Sequence, residues 1–391
     1  MAILSFLFSI LSSKSCASTH QNVGKTGLKL FQMKILYAIQ GTGNGHVARA
    51  IDLVPEFQKY GDVDVLLSGQ HSELKLPFEV KYRFQGFGFF FGQSGGVDIA
   101  KTWRKNSIVR FSREIINLPV EQYDLVISDF EPVSAWACII RGKKCFGMSH
   151  QAAVADSAAP HPASGSWLGK TILKYYAPVY YKTGFHFKRI NKHIYTPVIR
   201  KSIREIIPGN FGHYTVYLPA YSDIHIIGVL AEIQNVRWEV FSKNARVPYS
   251  FNNISVFPVD NDNFVKSMAG CTGVLCNAGF ETPAEALFLG KKLCVIPMKH
   301  QYEQACNAEM LRIMGISVLS ALSFFELPKL KEWLVSKQSV AVHYPDNVAE
   351  VVKQLILMEK EQDSEISFKH VFPVLSFYRK IEQQIAIGKM S

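Results

Sequence analysis

Asn277 to Gln304 reads NAGFETPAEALFLGKKLCVIPMKHQYEQ, and the order of its parts sets the fold class. A short apolar run, Gly273 to Cys276, leads into a turn at Asn277-Ala278-Gly279. A helical pattern follows, with Thr282 and Pro283 at its start and Gly290 at its end. A second apolar run, Leu293 to Pro297, then opens onto a polar loop, His300 to Gln304. Strand, glycine turn, helix, strand and polar loop is how a parallel α/β sheet presents a ligand. The ligand lies at the carboxyl ends of the strands, where unpaired helix N–H groups suit a phosphate.

The same alternation runs through the rest of the chain. In the first half, strand patterns at Lys34–Ile39, Val63–Leu67, Asp124–Ser128 and Cys145–Ser149 alternate with helical ones. In the second half the strand patterns are Tyr214–Pro219, Trp238–Phe241 and Ile254–Pro258. A helical pattern over Asn263–Gly270 leads into the opening stretch, and amphipathic ones follow at Lys329–Leu334 and Val348–Lys360. Short apolar strands separated by helices predict an α/β fold with two Rossmann-like doubly wound domains facing a cleft. The boundaries expected are a leader or disordered extension over 1–32, an N-terminal domain over 33–205 and a C-terminal domain over 206–370. A tail over 371–391 is expected to pack back on the N-terminal domain. Ile206 to Gly212 has the Pro/Gly composition of a hinge.

Composition narrows the classes. An apolar share of 48% with 19% charged residues suits two packed cores and excludes a disordered chain. Seven cysteines without CxxC spacing, several of them in apolar runs, read as buried free thiols of a reducing compartment. The apolar run Ala2–Leu11 is too short to span a bilayer. No Lys or Arg precedes it, so a start-site artefact or disordered extension is favoured over a signal.

Glu285 falls in the first turn of the predicted helix, where its carboxylate can accept from both vicinal hydroxyls of a ribose. Glu303 and Gln304 are placed to hydrogen-bond sugar hydroxyls. Gly279, Glu285, Pro297, His300 and Gln304 fall at the spacing of a known donor motif. The segment resembles that of GT-B glycosyltransferases, especially the lipid-linked GlcNAc transferase of peptidoglycan synthesis and its uncharacterised relatives. The resemblance implies a donor site for a UDP-linked sugar built from Asn277, Gly279, Thr282, Glu285, His300, Glu303 and Gln304. One departure concerns the loop: Gln301 follows Lys299-His300, where the family carries additional polar residues before its sugar-binding Gln.

The turn Gly41-Thr42-Gly43-Asn44-Gly45-His46 is not a dinucleotide fingerprint, because His46 stands where G-x-G-x-x-G needs its third glycine. Nor is it a Walker loop, since no Lys-Ser/Thr follows. It resembles the glycine turn of the same transferases, which implies acceptor contacts at Gly41, Thr42, Gly43, Asn44 and Gly45, with His150 beside them. An acceptor hydroxyl must lose a proton as it attacks, and an imidazole suits that task. His46 is the first candidate base; Asp129 and Glu131 compete, and His150 is weaker. Each has a plainer alternative as a helix cap or a supporting partner.

Two further stretches bear on the acceptor. Gly86 to Gly96 carries four phenylalanines among glycines, read either as an apolar ligand surface or as core. Ser157 to Arg204 holds nine Lys and Arg, eight interleaved aromatics and no acid, a large part of the net charge of +11. Such a segment suits docking on an anionic membrane, at about 1 kcal/mol per basic residue. Nucleic acid ranks lower, and a solvated helix face with core tyrosines is the plain alternative. No His/Cys/Asp cluster has metal-ligand spacing, and no Asp-x-Asp is read as a manganese site. No cofactor is expected beyond the UDP-sugar co-substrate.

The function expected is transfer of a sugar from a nucleotide diphosphate sugar to a lipid-linked or cell-envelope glycan, metal-independent and inverting. The setting expected is cytoplasmic or peripheral on the inner face of the cell membrane. The alternatives are a UDP-sugar 2-epimerase of the same fold and a non-catalytic sugar-nucleotide-binding protein.

Overall fold

A computed structural model describes residues 33–69, 76–88, 106–163, 165–337 and 339–360. The expected leader over 1–32, the phenylalanines Phe89 to Phe91 and the tail over 371–391 lie outside the described residues.

The first half runs β1 (Met33–Gln40), α1 (Asn44–Phe57), β2 (Gly61–Ser68), β3 (Tyr82–Phe84), α2 (Ile108–Asn117) and β4 (Leu125–Asp129). It continues with α3 (Pro132–Ile140), β5 (Phe146–Ser149), α4 (His150–Val154), α5 (Trp167–Tyr175), β6 (Tyr181–Phe185), β7 (Ile194–Tyr195) and α6 (Lys201–Arg204). The strands form one parallel sheet in the order β3-β2-β1-β4-β5-β6-β7. In β1, Ile35, Tyr37 and Ile39 enter one core while Leu36 and Ala38 enter another, and all five are fully buried. Alternate side chains leave opposite faces of a strand, so a run that is apolar throughout reports a sheet covered on both sides.

The second half runs β8 (His213–Tyr217), α7 (Asp223–Leu230), β9 (Arg237–Ser242), β10 (Tyr249–Phe251), β11 (Ile254–Pro258), α8 (Asn261–Gly270) and β12 (Gly273–Asn277). Then come α9 (Glu281–Phe288), β13 (Lys292–Ile296), α10 (Tyr302–Ile313), β14 (Ser317–Val318), α11 (Leu327–Val335) and α12 (Val348–Lys360). Its sheet has the order β10-β11-β9-β8-β12-β13-β14, parallel except for the β10–β11 pair. Here too Val274 and Cys276 of β12 face one core and Leu275 the other.

Each sheet changes its direction of growth once near its middle, between β1 and β4 and between β8 and β12. A crevice opens at the carboxyl ends of the strands at such a point. The first crevice receives the Gly41–His46 turn and Asp129, and the second receives Asn277 and the turn after it. This is the expected α/β pair of doubly wound sheets.

The chain returns to the first half earlier than expected. Tyr344 Oη donates to the Phe187 carbonyl at 3.0 Å, and Asn347 Nδ2 contacts Thr196 Oγ1 at 3.1 Å. Val351, Val352, Leu355 and Ile356 of α12 share a buried cluster with Val47, Ala50, Val54 and Phe57 of α1. That cluster also contains Phe187, Phe280 and Val274, so apolar packing is continuous across the two halves.

The basic segment is only partly a surface. Its middle supplies β6 and β7, and Tyr176, Phe185, Phe187 and Tyr195 are core residues. Lys170, Lys174, Lys182, Lys188, Arg189, Lys192 and Lys201 remain exposed, with Trp167 beside them. The plain reading thus holds for most of the aromatics. Phe87, at the described start of the phenylalanine stretch, packs edge-on against Phe111 at 5.8 Å and is core as well. All six described cysteines are free and buried, as their apolar settings led one to expect.

Candidate active site

The first-half crevice is built from β1, α1 and β4. Gly43 sits at φ 108°, a left-handed value that a side chain would strain, and lets the chain turn from β1 into α1. Gly41 donates to the Ser68 carbonyl at 2.6 Å. A Cβ on Gly45 would stand 3.0 Å from Glu281 Cγ, so this glycine admits a carboxylate from the second half. His46 follows in the first turn of α1, and its Nδ1 lies 2.8 Å from Asp129 Oδ1 at the end of β4.

A carboxylate can only accept, so Nδ1 carries the proton in this pair and Nε2 is left as the basic atom. Gln151 Nε2 stands 3.4 Å from that Nε2, the geometry of a donor facing a bare nitrogen. Asp129 is fully buried and holds a second partner, Arg49, whose Nη2 and Nε reach its oxygens at 2.8, 3.0 and 3.2 Å. Burial pushes the Asp129 carboxyl up, but the Arg49 and His46 charges outweigh it and hold it below the usual carboxylate range.

Asp129 is therefore placed to orient His46 rather than to face an acceptor. Glu131 is completely buried and caps α3, its two oxygens accepting from Val133 N at 2.8 Å and Ser134 N at 2.6 Å. Those bonds correct the reading of Glu131 as a base, since the cap leaves it no path to a hydroxyl. His150 is corrected likewise. Its Nδ1 lies 2.8 Å from the Phe185 carbonyl and its Nε2 2.7 Å from Asn307 Oδ1, and a neutral ring donates to one of these two oxygens. Its ring stacks on Phe280 at 3.9 Å. Burial pushes its pKa down to about 4, so it is a neutral strut between the halves and not an acceptor contact.

The second-half crevice holds the expected donor residues at the mouths of β12 and β13. Gly279 faces open space: nothing lies within 4 Å of where its Cβ would be. Asn277 Nδ2 donates to the Ile296 carbonyl at 2.9 Å, while its buried Oδ1 has no partner. Thr282 lies in the first turn of α9, a helix whose N-cap, Phe280, offers no side-chain hydrogen bond. Its first N–H groups are left without a side-chain partner.

Glu285 is a turn further along, buried, and gripped by Arg200 from the first half at 2.6 and 2.9 Å. A ribose would have to share or displace that guanidinium. His300 is exposed with φ 59°, a left-handed residue in the turn after β13. The polar loop is shorter than expected, because α10 begins at Tyr302 and places Glu303 and Gln304 in its first turn. Gln304 Oε1 accepts from Met298 N at 3.0 Å and fixes that loop. Glu303 points the other way, toward the first half. Its Oε2 accepts from Gln151 Nε2 at 3.0 Å, and burial raises its carboxyl pKa.

Sequence reasoning missed Arg49, Gln151, Arg200, Glu281 and Asn307. Arg49 carried a usable signal: three residues after His46 on one helix, it must share that residue's face. Gln151 adjoins a flagged histidine. Glu281, Arg200 and Asn307 come into play only through pairing between the halves, which spacing does not reveal. Two Asp-x-Asp spacings in the chain are engaged elsewhere: Asp64 pairs with Lys81 at 2.5 Å, and Asp260 caps α8 through Asn263 N. Among the described residues no helix is long and apolar enough to cross a membrane.

Known proteins place this geometry in context. The description "Glycosyl transferase family 1" matches residues 33–336. No curated protein sequence matches the chain. Three solved structures share the fold. The glycotransferase of kitacinnamycin has TM-score 0.51 at 12% identity, over 88% of this chain and 98% of that one. A UDP-glucosyltransferase from Polygonum tinctorium, capable of glucosylating indoxyl, has TM-score 0.51 at 14% identity, over 89% and 99%. MurG of Acinetobacter baumannii has TM-score 0.50 at 14% identity, over 84% and 100%. The architecture is GT-B, with both halves represented along the matched length, and the chain belongs to glycosyl transferase family 1.

Proposed function

We propose that this glycosyltransferase moves a sugar from a UDP-linked donor to a hydroxyl of a lipid-linked or envelope glycan, inverting the anomeric carbon without a metal. The single observation that carries the reading is the His46–Asp129 pair at 2.8 Å, its free Nε2 turned toward Gln151 and Glu303. The acceptor oxygen attacks the anomeric carbon as its proton passes to His46 Nε2. The bond from that carbon to the diphosphate oxygen breaks, and its electron pair leaves with UDP. Free N–H groups at the start of α9, above the open face of Gly279, suit the charge that grows on the diphosphate.

Glu285 is the ribose partner in this scheme, once Arg200 yields, and Glu303 the sugar partner. The shared fold of the Polygonum tinctorium UDP-glucosyltransferase supports UDP as the nucleotide. Exposed lysines along 170–201 support an acceptor presented at an anionic surface, as from the cytoplasmic face of a membrane.

Thermal unfolding in a panel of nucleotide sugars tests the donor. A UDP-sugar at a hundred times its dissociation constant is expected to stabilise the protein by about 2.7 kcal/mol. Glu285→Ala is expected to weaken that binding by about 1–3 kcal/mol. Stabilisation by no UDP-sugar, or equal binding by the variant, would overturn the donor assignment. Flotation with anionic liposomes at low and high salt tests the surface, and no binding at low salt would remove the membrane from the proposal.

A further inference from the structure

Arg49 is the most heavily engaged charged side chain of the crevice, and the reaction scheme has not used it. It lies one turn after His46 on α1 and is only 3% exposed. Its Nε and Nη2 fork both oxygens of Asp129. Its Nη1 reaches across to Glu281 Oε1, at the start of α9 in the second half, at 2.7 Å. The guanidinium also sits 5.4 Å over the Phe185 ring. Nη2 and His46 Nδ1 are 3.1 Å apart and both donate to the same Asp129 Oδ1.

We propose that Arg49 is a positioning residue for His46: it locks the plane of Asp129, offsets the carboxylates around the ring, and is fully held only when Glu281 is apposed. The inference rests on the reading of His46 as the base. Its logic is electrostatic. Asp129 from β4, Glu281 from α9 and Glu303 from α10 all face His46, and His150 from α4 faces it as a neutral ring. Tyr37 of β1 borders Asp129 and Arg49 but is buried and un-ionised.

Acidic groups on three sides with no counter-charge among them would favour the imidazolium over the free base. Arg49 supplies that counter-charge inside the cluster. Only an arginine presents a rigid fork that satisfies both Asp129 oxygens and still has an N–H left for Glu281. Because Glu281 comes from the other half, separation of the halves removes one of the four carboxylate–guanidinium contacts. The base is then tuned for catalysis only in the closed arrangement.

The test is the pH dependence of kcat/KM in three variants of the full chain. Arg49→Met is expected to move the acid limb up by about one pH unit, because a positive charge that opposes protonation of the ring is removed. Rate on the acid side of the limb should then fall by roughly tenfold. Arg49→Lys keeps the charge but not the fork, so the limb should stay in place while kcat falls and KM does not. Glu281→Gln should move the limb down. A purely structural role lowers activity in all three with the limb unmoved, and that result, or shifts of one sign throughout, overturns the proposal.

Circular dichroism establishes that each variant is folded. Should Arg49→Met not fold, the Lys and Gln variants decide the matter alone. Should the wild type transfer no sugar, the transfer reading fails by itself. The positioning proposal is then judged by NMR titration of the His46 ring in the wild type and the same variants, with the same directions expected.

Discussion

The two crevices hold comparable numbers of polar side chains and use them differently. In the first half, His46, Asp129 and Arg49 form a buried chain of polar contacts that leaves His46 Nε2 facing Gln151. In the second half the donor-side groups have been drawn into contacts that hold the molecule together: Glu285 with Arg200, Gln304 with Met298 N, Asn277 with the Ile296 carbonyl. One crevice has its polar contacts closed among its own residues before any ligand arrives. The other must exchange protein partners for ligand, and the helix N-terminus above Gly279 is the part already free to receive one. The contrast fits a catalyst in which binding of the donor is coupled to movement of the halves, since Arg200, Gln151 and Arg49 all reach across.

The largest effect that could break this comparison is chemical. His46→Ala should lower transfer by about a thousandfold while sparing UDP binding, because only the group that takes the proton is lost. Retained turnover would mean that the first crevice is not the organised one. Next in size is the grip on the donor acid. Arg200→Met leaves a buried carboxylate, Glu285, without its partner, and the unliganded protein should lose about 3 kcal/mol, read from the urea midpoint at constant m-value. A loss near zero would show that Glu285 is already free and that the two crevices do not differ in this respect.

The difference also explains what could be read from the sequence. Strand patterns such as Ile254–Pro258 and Val348–Lys360 as a helix coincide with the observed elements, since an apolar period is a local property. β6 and β7 went unread because they are short and lie among nine basic residues, with Lys182 of β6 exposed. The start of α10 was read as loop because Gln301 and Tyr302 offer no capping signature. Within the site, the types of residue were legible and their partners were not. His46 and Asp129 were flagged as rival bases, and only folding brings residues 83 positions apart into one hydrogen bond. Glu131 looked like an acid with a free hand; its two bonds to Val133 N and Ser134 N follow from a helix start that Pro132 already announced.

The smallest effect is a matter of pH and bears on the bridge between the crevices. Glu281 is about a quarter exposed, and burial pushes its pKa up from 4.5 to about 7, against the pull of Arg49 and His46. An acid whose pKa rises on folding contributes stability in its protonated form. That stability is complete below about pH 4.5 and is lost as pH rises through about 7. The wild type should therefore weaken by on the order of 2 kcal/mol from this group between pH 5 and pH 8, discounted for its partial exposure. Glu281→Gln removes the titration, so the wild-type-minus-variant stability difference isolates it from His213 and the other groups that titrate nearby. The difference curve should fall with rising pH between about 4.5 and about 7 and level off above that. A flat curve would mean that the Arg49 contact fully compensates burial, and the bridge would then be a permanent ion pair and not one that loosens as the pH falls through neutrality.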